Sequence, residues 1–257
     1  MSFMQACFLF FAAWMSGVLN SVAGGGGLII FPALIVTGLP AISANATSTL
    51  ASCPGYIASI SAYRNELWAQ QQLSWLFGSV SLVGGMLGAV LLLHTPASVF
   101  DQLVPYLLLL ATVLFTFGNS ISTLLQIAPK EAAQNSSCFQ IKASFVQLLV
   151  SVYGGFYGLG ISFLILATLR ILGIKNIHQM NALKVLMIMC TDSFAIVTFI
   201  IAGVITWQQA LVMMVGTSLG GYSGAYYARQ LKPEWVRRFV IVIAWAITCY
   251  FFLRQWL

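Results

Sequence analysis

The sequence predicts an all-α polytopic membrane protein of two inverted repeats, each a glycine-broken re-entrant hairpin followed by three full transmembrane helices. Hydrophobic residues fill 60% of the 257 positions and charged residues 6%, against roughly 45–50% and about 25% in soluble domains. Two long apolar regions, 3–37 and 141–172, are each interrupted by a glycine cluster. The basic residues sort to one side of a membrane only when those two regions turn back on themselves.

A chain this poor in charge has no polar surface with which to cover a soluble fold, and a bilayer removes that requirement. The length suits one membrane domain and leaves no room for a separate soluble one. The net charge of +6 comes without a basic run, which argues against a nucleic-acid surface and is read as orientation information. Cys7, Cys53, Cys138, Cys190 and Cys249 are scattered and odd in number, with no CxxC, a pattern of small apolar packing residues rather than of metal or disulfide sites. Residues 1–23 end in Ser21-Val22-Ala23, which resembles a cleavage site. They lack a basic leader and run on into further apolar sequence, so they are read as part of the mature protein.

A crossing helix needs about 20 mainly apolar residues. Six stretches qualify: 46–62, 73–93, 103–125, 185–204, 208–228 and 235–255. The second carries Gly84, Gly85 and Gly88, which allow close helix contact. The only long polar stretch, 127–140, holds Lys130, Glu131 and Asn135. It is read as a linker between a first repeat, 1–126, and a second, 141–257.

The two remaining apolar regions are too long for one helix each. The first contains Asn20 and Gly24-Gly25-Gly26-Gly27; the second contains Gly154, Gly155, Gly158 and Gly160. Glycine runs are poor helix interiors. A shift of 135 places Gly25 on Gly160, Leu34 on Leu169 and Gly38 on Gly173. A shift of 136 places Asn45-Ala46 on Asn181-Ala182, and Ser48 on Lys184. With the repeated hydropathy order, these matches indicate a duplicated half.

Charge then sorts the topologies. If the broken segments simply cross, Arg64, Lys130, Lys142 and Arg254 fall opposite the other seven basic residues. If they are re-entrant hairpins, each half crosses three times, the second half is inverted, and only Arg254 of the eleven lies outside. The second arrangement is adopted, with both termini periplasmic in a bacterial cytoplasmic (inner) membrane.

Irregular backbone at membrane depth is tolerated only inside protein or beside a wet cavity. Two glycine breaks meeting near the midplane let a ligand approach the backbone, and converging N–H groups at half-helix ends favour an anion. The competing reading is that the glycines serve helix packing alone. Asn45 and Ser48 begin a helix and share a face, as site residues or as simple caps. Lys184, at the position equivalent to Ser48, would set a cation facing those hydroxyls, or would snorkel to the membrane surface. Asp192 is the only acid inside a span and is the candidate coupling residue, or a structural hydrogen-bonding group. Eight residues of rise, about 12 Å, keep it from pairing with Lys184 on one straight helix. His178 is placed in a loop, and Arg170 at the end of the second hairpin, facing headgroups or attracting anions. No GxGxxG, Walker lysine, nucleophile elbow or metal spacing is present, so neither an enzyme nor a cofactor is expected, and a secondary transporter is the economical reading. A passive anion channel and a non-transporting scaffold or accessory subunit are the alternatives.

The run Asn20-Ser21-Val22-Ala23-Gly24-Gly25-Gly26-Gly27, then Pro32-Ala33-Leu34, Gly38-Leu39-Pro40 and Ala44-Asn45-Ala46-Thr47-Ser48 closely resembles the first-repeat motif of the TauE/SafE family. That family comprises transporters associated with sulfite, thiosulfate and organosulfonates. The second-repeat match is thinner: Ala167 stands at the position of Pro32 and Leu183 at that of Thr47. The resemblance implies a sulfur-containing anion moved without ATP and coupled to a proton or sodium gradient. It implies a substrate site drawn from Asn20, Gly24, Gly25, Gly26, Gly27, Asn45, Thr47, Ser48, Gly158, Gly160, Asn181 and Lys184. Phe31, Tyr56, Tyr153, Phe156 and Tyr157 lie near the breaks and would receive an organic tail, which tips the substrate toward an organosulfonate, an aromatic one included. The expected partners are that anion, the coupling ion, the lipid bilayer and, as an option, a second copy of the chain, with no nucleic acid.

Overall fold

A computed structural model describes residues 1–22, 25–62, 64–124, 137–172, 174, 176–227 and 233–256. The regular structure among them is helical. In the first half these are α1 (Phe3–Val22), α2 (Gly27–Val36), α3 (Ala41–Ala62), the short α4 (Arg64–Ala69), α5 (Gln71–His94) and α6 (Ala97–Leu124). In the second half they are α7 (Ser137–Phe156), α8 (Ile161–Ile171), α9 (Ile177–Ile201), α10 (Trp207–Tyr227) and α11 (Pro233–Trp256). Apart from α4, each half runs long, short, long, long, long. Gly24, Gly173, Lys175 and most of the 127–140 linker lie outside the described residues.

Each of the six expected spans corresponds to one continuous helix of 21 to 28 residues, which at 1.5 Å per residue reaches about 30 Å or more. Hydropathy sets three of them, α3, α10 and α11, apart. Among the described residues, the helices both long and apolar enough to cross a membrane contain Phe3–Asn20, Gln71–His94, Ala97–Phe117 and Gln179–Ile201. Helix α3 is long but carries Asn45, Thr47, Ser48, Thr49 and Ser52, and all but Thr49 are buried. It is a central helix whose polar face meets protein, not lipid.

The broken segments differ in one respect from hairpins with two equal arms. Helices α2 and α8 have 10 and 11 residues, about half a bilayer, whereas α1 and α7 have 20 each. The break comes late because the glycines follow, rather than divide, the longest apolar run. Gly25 (φ +87°) and Gly160 (φ +80°) both adopt the left-handed conformation, which only glycine enters freely. They are the pair matched by the 135 shift, and they share this backbone conformation.

Three local expectations are corrected. Helix α3 begins at Ala41, because the fixed φ of Pro40 starts a helix well; Asn45 therefore lies inside the helix and is no N-cap. His178 belongs to the first turn of α9 rather than to a loop. Ser137–Gln140 are already helical, so the polar stretch gives way to α7 before residue 141.

The halves interlock. Helix α1 packs on α10, and its equivalent α7 packs on α5, each leaving its own half. Glycines permit both approaches. A Cβ at Gly220 would strike the carbonyl oxygen of Trp14, and one at Gly88 would strike that of Val152. At the centre α3 meets α9, and α6 meets α11. Two contacts there join residues to their own repeat equivalents, 136 positions away: Cys53 Sγ lies 3.9 Å from Met189 Sδ, and Thr112 Oγ1 lies 3.0 Å from Thr248 Oγ1. Contacts of this kind, between a residue and its own counterpart, are those expected where a twofold axis relates two halves.

Gly220→Ala is expected to cost about 1–3 kcal/mol through overpacking against the α1 backbone. Gly221→Ala, where an added Cβ meets nothing within 4 Å, should leave stability unchanged. Thermal unfolding of the two variants in the same detergent checks the contrast.

Candidate functional site

The two glycine breaks and the middle of the central helices enclose a cavity of about 50 Å³. From the first break it is lined by Asn20, Gly25 and Gly27, and from the second by the run Tyr157 to Ser162. Ser48, Thr49, Ser52 and Tyr56 contribute from α3, and Ile188 and Asp192 from α9. The pairs Ser52/Ile188 and Tyr56/Asp192 are repeat equivalents at the 136 shift, and they flank the Cys53–Met189 contact. The cavity therefore lies at mid-height of α3 and α9, on the axis that a twofold relation between the halves would give.

Each break is held by a side chain of its own half. The Gly26 N–H donates to Asn20 Oδ1 at 3.0 Å, satisfying an orphan amide at the start of α2. In the second half Tyr153 donates its hydroxyl to the Leu159 carbonyl at 2.6 Å. Asn45 Nδ2 then crosses between halves to the carbonyl of Phe156, 3.1 Å away, at the end of α7. The N-terminal ends of α2 and α8 thus face the cavity, where their partial positive charge favours an anion. The Asp192 carboxyl lies within electrostatic reach of Tyr56 and Cys53, and Asn20 interacts with the Tyr56 hydroxyl.

The structure brings together Asn20, Gly25, Gly27, Ser48, Gly158, Gly160 and Asp192. It sets the others elsewhere. Gly26 is the N-cap of α2 and packs on Ser16 and Asn20. Asn45 braces the second break, its Oδ1 buried and without a partner. Thr47 ties α3 to the α9–α10 turn: its Oγ1 accepts from the Thr206 N–H at 3.1 Å and pairs with Thr206 Oγ1 at 2.9 Å. Lys184 donates to Asn181 Oδ1 at 3.2 Å on its own helix, and neither lines the cavity. The expected lysine facing Ser48 is therefore not seen; Asp192 is the one charged side chain among the described lining residues. Gly24 lies outside the described residues.

Sequence reasoning missed Thr49, Ser52 and Ser162. The signal for Ser52 was present: Ser48, Ser52 and Tyr56 recur every four residues, one stripe of a helix. Ser162 is the 135-shift equivalent of Gly27, and its hydroxyl was hidden by the alignment of glycines.

The family model described as sulfite exporter TauE/SafE matches residues 9–251. The chain belongs to the TauE/SafE family. A probable membrane transporter protein of Haemophilus influenzae is 25% identical over 93% of this chain and 91% of its own length. The probable membrane transporter protein YfcA of Escherichia coli K12 is 27% identical over 92% and 85%. The probable membrane transporter protein YdhB of Bacillus subtilis is 24% identical over 88% and 90%. No solved structure matches the chain. The chain is a multi-pass membrane transporter of this family, and the axial cavity is the place in it where polar side chains and helix ends converge.

Thr47→Val keeps the side-chain shape but leaves the Thr206 N–H without its acceptor. A loss of about 1–3 kcal/mol is expected, read as a lowered midpoint in thermal unfolding.

Proposed function

We propose that the protein is a secondary transporter of a compact sulfur oxyanion, sulfite or thiosulfate, moved together with a proton carried on Asp192. The observation that carries this reading is the small polar cavity on the axis between the two breaks. Its volume of about 50 Å³ suits an ion of a few heavy atoms, well below the roughly 300–1,000 Å³ of drug-sized sites. That volume favours a compact oxyanion over an aryl sulfonate. Of the residues named above as receivers of an organic tail, Phe31 packs directly on Tyr157, and Tyr157 and Phe156 both pack on Phe100.

Binding follows from the wall. Helix ends of α2 and α8 and the Ser162 hydroxyl offer donors to an oxyanion, whereas Ser48, Thr49 and Ser52 donate to carbonyls of α3 at 2.8, 3.0 and 3.0 Å and join only by turning from them. No lysine or arginine among the described lining residues balances its charge, and Asp192 would repel it. Two like charges 4 Å apart cost about 4 kcal/mol at an effective dielectric constant of 20. A proton on Asp192 removes that repulsion and adds an O–H donor, so anion and proton load together.

Alternating access follows from the repeats. Both self-contacts on the axis, Cys53–Met189 and Thr112–Thr248, fall near mid-height of their helices. That supports an axis lying in the membrane plane and hence inverted repeats, with the site between them. The charge sorting supports the same arrangement, with both termini periplasmic.

In proteoliposomes loaded with buffer, an imposed proton gradient is expected to drive sulfite or thiosulfate accumulation. Asp192→Asn should abolish the gradient-driven accumulation while retaining substrate exchange. Flux down the anion's own gradient alone in the wild type would replace the transporter with a passive channel. An unaltered proton response in Asp192→Asn would remove the coupling role.

A further inference from the structure

Tyr157 stands apart from the other polar residues of the cavity. It follows the last residue of α7, its N–H donates to the Tyr153 carbonyl at 2.9 Å, and it lines the cavity. It is 1% exposed, and its hydroxyl is buried without a hydrogen-bond partner. A buried hydroxyl left unpaired is destabilising, and native proteins seldom keep one without a use.

The ring is fixed independently of that hydroxyl. It packs edge-on to Phe31, with centroids 5.4 Å apart, and to Phe100, at 6.3 Å. Both phenylalanines are fully buried. Phe31 lies one turn before Ile35, and Phe100 directly precedes Asp101; Ile35 and Asp101 line a second, larger pocket of about 460 Å³ at the α2–α3 turn. Tyr157 thus borders the small axial cavity while its ring rests on the aromatic pair that adjoins the larger vestibule.

We propose that the Tyr157 hydroxyl is a substrate-contact donor, hydrogen-bonding the oxyanion in the axial cavity from the side of the aromatic cluster. The inference rests on the reading of that cavity as the oxyanion site. Three features make Tyr157 suited to the task. Its ring is held by packing, so little side-chain freedom is lost on binding. A phenol donates to an oxyanion without adding a full charge. Its position at the second break also gives that half a side-chain ligand, where Asn20 serves in the first.

Tyr157→Phe tests this, because it removes the oxygen and keeps the ring on Phe31 and Phe100. Titrating purified protein in detergent with sodium sulfite by calorimetry should show affinity lowered about ten- to hundredfold, the range for a hydrogen bond to a charged group. The unfolding midpoint without ligand should be equal or higher, since an unpaired hydroxyl has been removed. The same titration followed by tyrosine ultraviolet difference absorbance should show a perturbation in the wild type that Y157F lacks. Unchanged affinity in Y157F overturns the inference. If Ser52→Ala loses sulfite binding while Y157F retains it, the cavity stands as the site and the Tyr157 role falls. Wild-type protein that binds neither sulfite nor thiosulfate removes the reading of the cavity, and this inference with it.

Discussion

A backbone that leaves the helical path inside a bilayer must find partners for the N–H and C=O groups it releases, because lipid offers none. The rest of this structure depends on how that constraint is met at the two glycine breaks. Left-handed glycines at 25 and 160 turn the chain. Asn20 takes the Gly26 amide, Tyr153 serves the Leu159 carbonyl, and Asn45 serves the Phe156 carbonyl. Each tie fixes a short helix with its N-terminal end inside the protein. The cavity is the space those fixed ends leave between them.

The same constraint accounts for the interlocking of the halves. A half with a broken helix and a polar α3 cannot present an apolar surface to lipid on every side. Helix α1 crosses to α10 and α7 to α5, which encloses α3 and α9 at the centre. With little hydrophobic driving force between helices in lipid, close packing at small residues supplies the attraction. Glycines against carbonyl oxygens are dense at both exchanged contacts. The contacts of Cys53 with Met189 and of Thr112 with Thr248 are what such interlocking gives if the two halves are equivalent.

Much of this was legible in the sequence, for identifiable reasons. Spans show in hydropathy because a bilayer imposes a length, and all six coincide with helices. The breaks show because four glycines in a row make a poor helix interior, and the 135 shift that aligned Gly25 with Gly160 also aligns their backbone conformations. What stayed hidden depends on contacts between helices. Periodicity places Asn45 and Ser48 on one face of α3 but does not say that one meets the end of α7 and the other the cavity. The match of Ser48 with Lys184 equates positions along the chain. It does not oblige a long cation to follow a short hydroxyl inward when Asn181 on the same helix offers it an acceptor.

The asymmetry inside the symmetric frame bears most directly on mechanism. Tyr56 and Asp192 are counterparts at the 136 shift, so the cavity wall carries a phenol at one position and a carboxylic acid at the other. Two carboxylates so near each other would repel as well as bind protons in two coupled steps. One carboxylate beside one phenol leaves a single acidic side chain among the described lining residues, while the Tyr56 hydroxyl can donate or accept. Under the coupling proposed here, one anion therefore travels with one proton on Asp192. Under the same proposal duplication supplies the alternating frame, and the difference between Tyr56 and Asp192 supplies the coupling.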